Sequence, residues 1–208
     1  MDKHILWSLR LGFSAKQSEL IEKDGLSRFL DKSFKSQIET SLPEFLDDAP
    51  KTLNELRYLR KSFRKSKDDT EQMVKMKKTL KRGIQNAQEL KEWWLEKMLH
   101  SDYPLREKMT LFLQNHFVVT SKKVKNNYWV YQHNQLLREN AFGNFRELTK
   151  NVLRTNAMVK YLDNTKNRKG KINENLSREL LELFTLGIGN YTYIHTYSCL
   201  HFYLYHYF

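Results

Sequence analysis

Residues 73–98 read MVKMKKTLKRGIQNAQELKEWWLEKM. Met73, Met76, Leu80, Ile84, Ala87, Leu90, Trp94 and Met98 recur three or four positions apart. That spacing lays all eight on one stripe of an α-helix of about seven turns. A strand would alternate apolar and polar residues, and this stretch does not. Gly83 sits mid-helix, where it costs roughly 1 kcal/mol relative to Ala.

Outward from this helix the same period recurs. On the N-terminal side, residues 4–11 begin a short helix with Leu6, Trp7 and Leu9. Ser14-Ala15-Lys16-Gln17 has the form of a capping box, with Ser14 accepting from the Gln17 amide and the Gln17 side chain returning to the cap. The helix it opens is expected to stop near Gly25, where a left-handed residue is cheap. Leu26, Phe29, Leu30 and Phe34 mark the next helix, residues 37–50 with Pro43 and Pro50 an irregular connection, and Leu53, Leu56, Leu59 and Phe63 another helix. Arg64 to Thr70 reads as a polar hinge.

On the C-terminal side, Asp102 and Pro104 start a helix bearing Leu105, Met109, Phe112, Leu113, His116 and Phe117. One helix is expected over about 123–140 and another from Phe145, after the break at Gly143-Asn144. Asp163 to Lys171 is a basic loop. Asn173 is placed to cap a last helix running to about Leu186, before Gly187 and Gly189. The fold class this implies is all-α, an irregular multi-helix domain. Only seven Gly and three Pro among 208 residues agree with long helices rather than a many-turned β fold.

Charge and cysteine content exclude some functions. Cys199 is the only cysteine, so neither an internal disulfide nor a cysteine-based metal site can form. No metal site is expected. There is no signal-peptide core and no apolar run that could span a bilayer, so a cytoplasmic chain without a transmembrane segment is expected. The net charge is +12, and residues 51–91 hold 13 Lys or Arg against 5 Asp or Glu, a balance of +8. A concentration of that kind meets nucleic acid or an anionic membrane surface, or is simply a solvated face. No aromatic stacking pattern, zinc-finger spacing or Gly-rich RNA motif accompanies it, so a nucleic-acid partner ranks last.

The end of the chain differs in kind. Residues 191–208 contain six of the eleven Tyr, three of the seven His and the single Cys, with no Asp, Glu, Lys or Arg. This composition resembles AT-rich DNA read out of frame. The expected organisation is therefore residues 1–190 as the N-terminal portion of one helical domain, truncated, and 191–208 as an aberrant, frameshifted tail.

Several segments together carry a resemblance. They are Trp93-Trp94-Leu95-Glu96-Lys97-Met98, Pro104-Leu105-Arg106-Glu107-Lys108-Met109-Thr110-Leu111-Phe112 and Asn115-His116-Phe117. Further on come Ala141-Phe142-Gly143-Asn144-Phe145-Arg146, Tyr161-Leu162-Asp163-Asn164 and the long run from Asn173 to Gly187, with Leu9-Arg10-Leu11-Gly12-Phe13 as an opening segment. The chain resembles the bacterial family catalogued as domain of unknown function 1800. The resemblance implies a largely helical protein, typically more than twice this long, that continues past its Gly-x-Gly-x-Tyr-Thr stretch with an acidic helix. It implies no activity. It implies as a partner a second, sulfatase-like family often found beside it, and export of many members.

The candidate pocket is built from polar residues on or beside apolar stripes. His116 shares a face with Met109, Phe112 and Leu113, where a lone His is either a hydrogen-bonded core residue or a ligand; Asn115 faces another side. Asn173, Glu174, Asn175, Arg178, Glu179 and Glu182 form the densest polar cluster. Glu174 with Arg178, and Arg178 with Glu182, are i,i+4 pairs within ion-pair reach. The cluster is either a cap with a surface ladder or an acidic pocket with Glu179 or Glu182 as base or metal ligand. Gln132-His133-Asn134, following Tyr128, Trp129 and Tyr131, either stacks a sugar or other polar ligand or is an ordinary amphipathic boundary. No Gly-x-Ser-x-Gly elbow, phosphate-binding Gly-rich loop or His-Glu-x-x-His is present. Two functions follow: a helical binding or scaffolding module, or a hydrolase-like enzyme whose acidic and His pocket is completed by a missing C-terminal half.

Overall fold

The computed structural model describes residues 2–65, 70–166 and 174–192, and among them there are helices and no strand. Five helices make the N-terminal half: α1 Lys3–Leu11, α2 Ser18–Asp24, α3 Leu26–Phe34, α4 Leu53–Lys65 and α5 Thr70–His100. Then follow α6 Leu105–His116, α7 Ser121–Val124, α8 Asn127–Glu139, α9 Phe145–Arg154, α10 Asn156–Tyr161 and α11 Asn175–Glu179, which passes into a π-helical turn over Leu180–Thr185. The all-α class read from the periodicity is what the chain forms. The expected cap Asn173, the hinge beyond Lys65 and the tail from Tyr193 onwards lie outside the described residues.

Helix α8 is the centre. It packs against α5, α6, α7, α9 and α10. Trp129 and Leu137 from α8 are buried with Leu113 of α6 and Phe117 just after it, Leu148 and Val152 of α9, Met158 of α10, Leu176 of α11 and Phe184. A smaller cluster of Leu46, Leu90 and Tyr131 ties α5 and the 3₁₀ turn Glu44–Leu46 to the other side of α8. Burying side chains of this size contributes about 1.5–3 kcal/mol each, which is what holds short helices such as α7 and α10 in place.

Local chemistry decides the boundaries. Asn126 accepts from the Trp129 amide and Thr155 from the Met158 amide, so the expected helix over 123–140 is two helices, and the one from Phe145 also breaks in two. Asn144 caps α9 through the Arg146 and Glu147 amides. Gly25, with φ 80°, ends α2 as expected.

The capping box at Ser14 does not form. The Gln17 amide donates to the Ser8 hydroxyl (3.1 Å), and the Gln17 side chain donates to the Ser101 carbonyl (3.2 Å). Tertiary partners win because this turn lies against the α5–α6 connection. A Cβ on Gly12 would stand 2.7 Å from the Pro104 ring, and Lys108 reaches across to the Leu9 and Gly12 carbonyls.

The long stripe also behaves differently from its reading. Asn86 and Leu90 are buried on α5 and Trp93 and Lys97 half-buried, so these residues face the body. Met73, Met76, Leu80 and Ile84 are 52%, 39%, 57% and 74% exposed. The same stripe is half-buried further on, at Ala87, Trp94 and Met98, so the exposure belongs to the N-terminal half of the helix.

Two glycines therefore respond oppositely. Gly12→Ala forces the Pro104 contact apart and lowers stability by about 1–3 kcal/mol, as overpacking does. Gly83→Ala meets nothing within 4 Å and raises stability by about 1 kcal/mol. Urea unfolding of both variants checks the pair.

Candidate functional site

The polar chemistry of the molecule is concentrated where α5, α6 and α8 meet. Arg138 is 2% and Glu107 7% exposed. Their contact is bidentate, with Arg138 Nε 2.7 Å from Glu107 Oε1 and a second guanidinium nitrogen 3.0 Å from Oε2. The same guanidinium donates to the Gln135 and Asn134 side-chain carbonyls, each at 2.8 Å. Trp94 Nε1 donates to Glu107 (2.9 Å), and the Trp93 ring lies 5.1 Å from the guanidinium carbon. Arg106, also buried, donates to the Arg138 carbonyl and to the Phe34 carbonyl, tying α3 to the same point. Three donors hold the Glu107 carboxylate, one on Oε1 and two on Oε2, so it acts as a positioning group within the core.

On the outer side of α8 an open cleft of about 560 Å³ lies against the α9–α10 junction. Tyr128, Gln132, Gln135 and Glu139 line it from α8, facing Asn151, Arg154 and Asn156. Its α8 wall is held in place. Gln135 donates to the Glu39 carbonyl (2.9 Å) while accepting from Arg138, and the Tyr131 hydroxyl donates to the Ser41 carbonyl (3.1 Å). Burial pushes the Tyr131 phenol above its ordinary pKa, so it stays a neutral donor. Gln132 donates to the Tyr128 hydroxyl (3.3 Å). Aromatic faces, amides and one charge of each sign suit a polyhydroxylated ligand better than a strongly charged one.

The residues singled out from sequence are divided among several places. Asn134 is buried beside Arg138, with its Nδ2 lacking a hydrogen-bond partner. Asn115 is exposed. His116 is half-buried among the rings of Phe117, Phe145 and Phe184, and its Nε2 lies 3.0 Å from the Phe184 carbonyl, to which it can donate. It thereby clamps the π-helical turn onto α6. Asn175 Nδ2 donates to the Leu162 carbonyl (3.3 Å).

The expected i,i+4 ladder is replaced. Arg178 donates to Asn175 (2.8 Å) and lies 3.7 Å from Glu179, while Glu182 accepts from the Tyr191 hydroxyl (2.9 Å). Glu174 stands at the helix cap rather than within it, and the wider π winding from Leu180 carries Glu182 off the i+4 line. None of these residues lines the cleft. Among the described residues no three His, Cys, Asp or Glu side chains gather as a metal set, and no helix is long and apolar enough to cross a membrane.

Reading the sequence missed the Glu107–Arg138 pair and the far wall of the cleft. Hydrophobic period gave no signal for the pair, because the buried face of α6 is Arg106, Glu107, Thr110 and Leu113 and Arg138 stands one turn from Asn134 and Gln135. It also passed over His133 as a core group. His133 is fully buried, with Nε2 donating to the Phe117 carbonyl (2.9 Å) and Nδ1 3.4 Å from the Thr155 hydroxyl. Desolvation pulls its pKa down from 6.5 to about 4, against the opposing effect of the Phe117 carbonyl.

Two outcomes follow. Glu107→Gln leaves a buried guanidinium without its counter-charge and lowers stability by about 3–5 kcal/mol, whereas Glu107→Leu with Arg138→Met recovers most of it. Guanidinium denaturation of the three proteins measures this. His133 has a folded pKa below its unfolded one, so its contribution is complete above pH 6.5 and is lost as pH falls towards 4. The loss is roughly 3 kcal/mol, and His133→Gln flattens that part of the stability–pH curve.

No curated protein and no solved structure matches the chain. The family described as protein of unknown function (DUF1800) matches residues 4–194, a span that takes in the buried ion pair, the cleft and the π-helical turn. The chain belongs to that family.

Proposed function

We propose that the protein is a helical binding module whose cleft between α8 and the α9–α10 junction takes a neutral, polyhydroxylated ligand of the sugar class. The observation that carries this reading is the cleft wall itself. Tyr128 offers a ring, Gln132, Asn151 and Asn156 offer amide donors and acceptors, and the α8 side is held through Gln135 by a buried ion pair. A wall fixed before binding lowers the ordering cost that a weakly hydrophobic ligand must overcome. The sulfatase-like partner and the cytoplasmic compartment expected from the sequence belong to this same proposal.

A hydrolase-like enzyme is the second reading. It is favoured by one contact: His116 reaches the carbonyl of Phe184, two residues beyond Glu182. In that case His116 and Glu182 serve a site completed by other helices.

Titrating the full chain with cellohexaose, chitohexaose and maltohexaose, followed by intrinsic fluorescence, separates the two. The binding reading expects saturable binding of at least one, weakened about tenfold or more by Tyr128→Ala and Asn151→Ala and unchanged by His116→Ala. New reducing ends that vanish in His116→Ala support the enzyme. Absence of binding to all three sinks the sugar assignment.

A further inference from the structure

Helix α5 meets the body of the protein along its C-terminal half. Asn86, Leu90, Trp93 and Lys97 face the body of the protein. In the N-terminal half the apolar line Met73, Met76, Leu80 and Ile84 stands exposed to 39–74%, and it lies apart from the cleft. Its spacing of three, four and four residues is the seam by which one helix receives another. At about 100° per residue these four fall within an arc of about 80°, the width of a single-helix contact rather than of a face closing on a large core.

Charge says which helix. Between Gln72 and Gln88 there are five cations and no acid. Arg82 is occupied by Asp48 and Glu89. Lys75, Lys77, Lys78 and Lys81 are exposed, and Lys77 and Lys81 run along one margin of the apolar line. Flanking charges of this kind select the partner in paired helices, and like charges repel. A second copy of this chain would bring the same lysines against each other. A nucleic acid gains nothing from a row of Met, Leu and Ile and finds no aromatic ring on this line to stack on.

We infer that Met73, Met76, Leu80 and Ile84 form a docking seam for an amphipathic helix whose apolar ridge is flanked by Asp or Glu. The ridge packs between the four side chains, and the acidic flank pairs with Lys77 and Lys81. Binding removes a large exposed apolar row from water and gives uncompensated lysines their counter-charge.

The experiment uses the full chain and two labelled synthetic peptides of about four heptads. Both have the same Leu and Ile ridge; one is flanked by Glu and the other by Lys. Fluorescence anisotropy is expected to show the Glu-flanked peptide binding at least about tenfold more tightly. Leu80→Asp with Ile84→Asp abolishes binding, with circular dichroism verifying that these exposed substitutions leave the fold intact. Lys77→Glu with Lys81→Glu transfers the preference to the Lys-flanked peptide. The inference is overturned by equal binding of both peptides, by binding that survives Leu80→Asp with Ile84→Asp, or by binding to neither. Two further results also overturn it: capture by phosphatidylglycerol vesicles without peptide binding, which assigns the line to a bilayer, and self-association lost in Leu80→Asp with Ile84→Asp, which assigns it to a second copy.

Discussion

A guanidinium and a carboxylate withdrawn from water have to satisfy each other completely, and the interior of this protein is arranged around that demand. Arg138 and Glu107 sit on α8 and α6, and every neighbour that approaches contributes a hydrogen bond or a ring. Such a pair adds little stability over an apolar replacement of equal volume. What it adds is geometry. Bidentate contact sets the rotation of α8 against α6, and Trp94 and Trp93 bring α5 to the same point. Arg106 extends the reach to α3 through the Phe34 carbonyl.

The cleft inherits its shape from that centre. Gln135 is held on one side by Arg138 and on the other by the Glu39 carbonyl, so a residue of the cleft wall is fixed by the buried ion pair one helical turn away. The opposite wall is set by the break at Thr155, whose hydroxyl caps α10 and turns Asn156 towards α8. His133 contributes from beneath by holding the end of α6. Cleft and core are thus mechanically one unit, while the exposed line of α5 lies apart from them.

The acidic cluster near the C-terminal end is organised by backbone rather than by chemistry. The π-helical turn adds a residue per turn, and His116 and Tyr191 fasten it from two sides. Glu179 and Glu182 are each engaged with one neighbour, Arg178 and the Tyr191 hydroxyl. Widened helices recur at functional positions, and here the widening changes which residues share a face.

Period and punctuation were enough to place the helices: the stripes at Leu26–Phe34 and Met73–Met98, the stop at Gly25 and the break at Gly143-Asn144 are local properties of the chain. They depend on neighbours three or four residues away, and a sequence displays those directly. Other features depend on groups far apart along the chain. Glu107 meets Arg138 across 31 positions, Gln17 abandons a local cap for Ser101 across 84, and the body takes α5 from Asn86 onwards while leaving Met73, Met76, Leu80 and Ile84 exposed. Those choices were decided only in the tertiary structure, because a partner buried at low dielectric outweighs a solvent-exposed local bond, and nothing in a helical period says which side of a helix that partner will occupy.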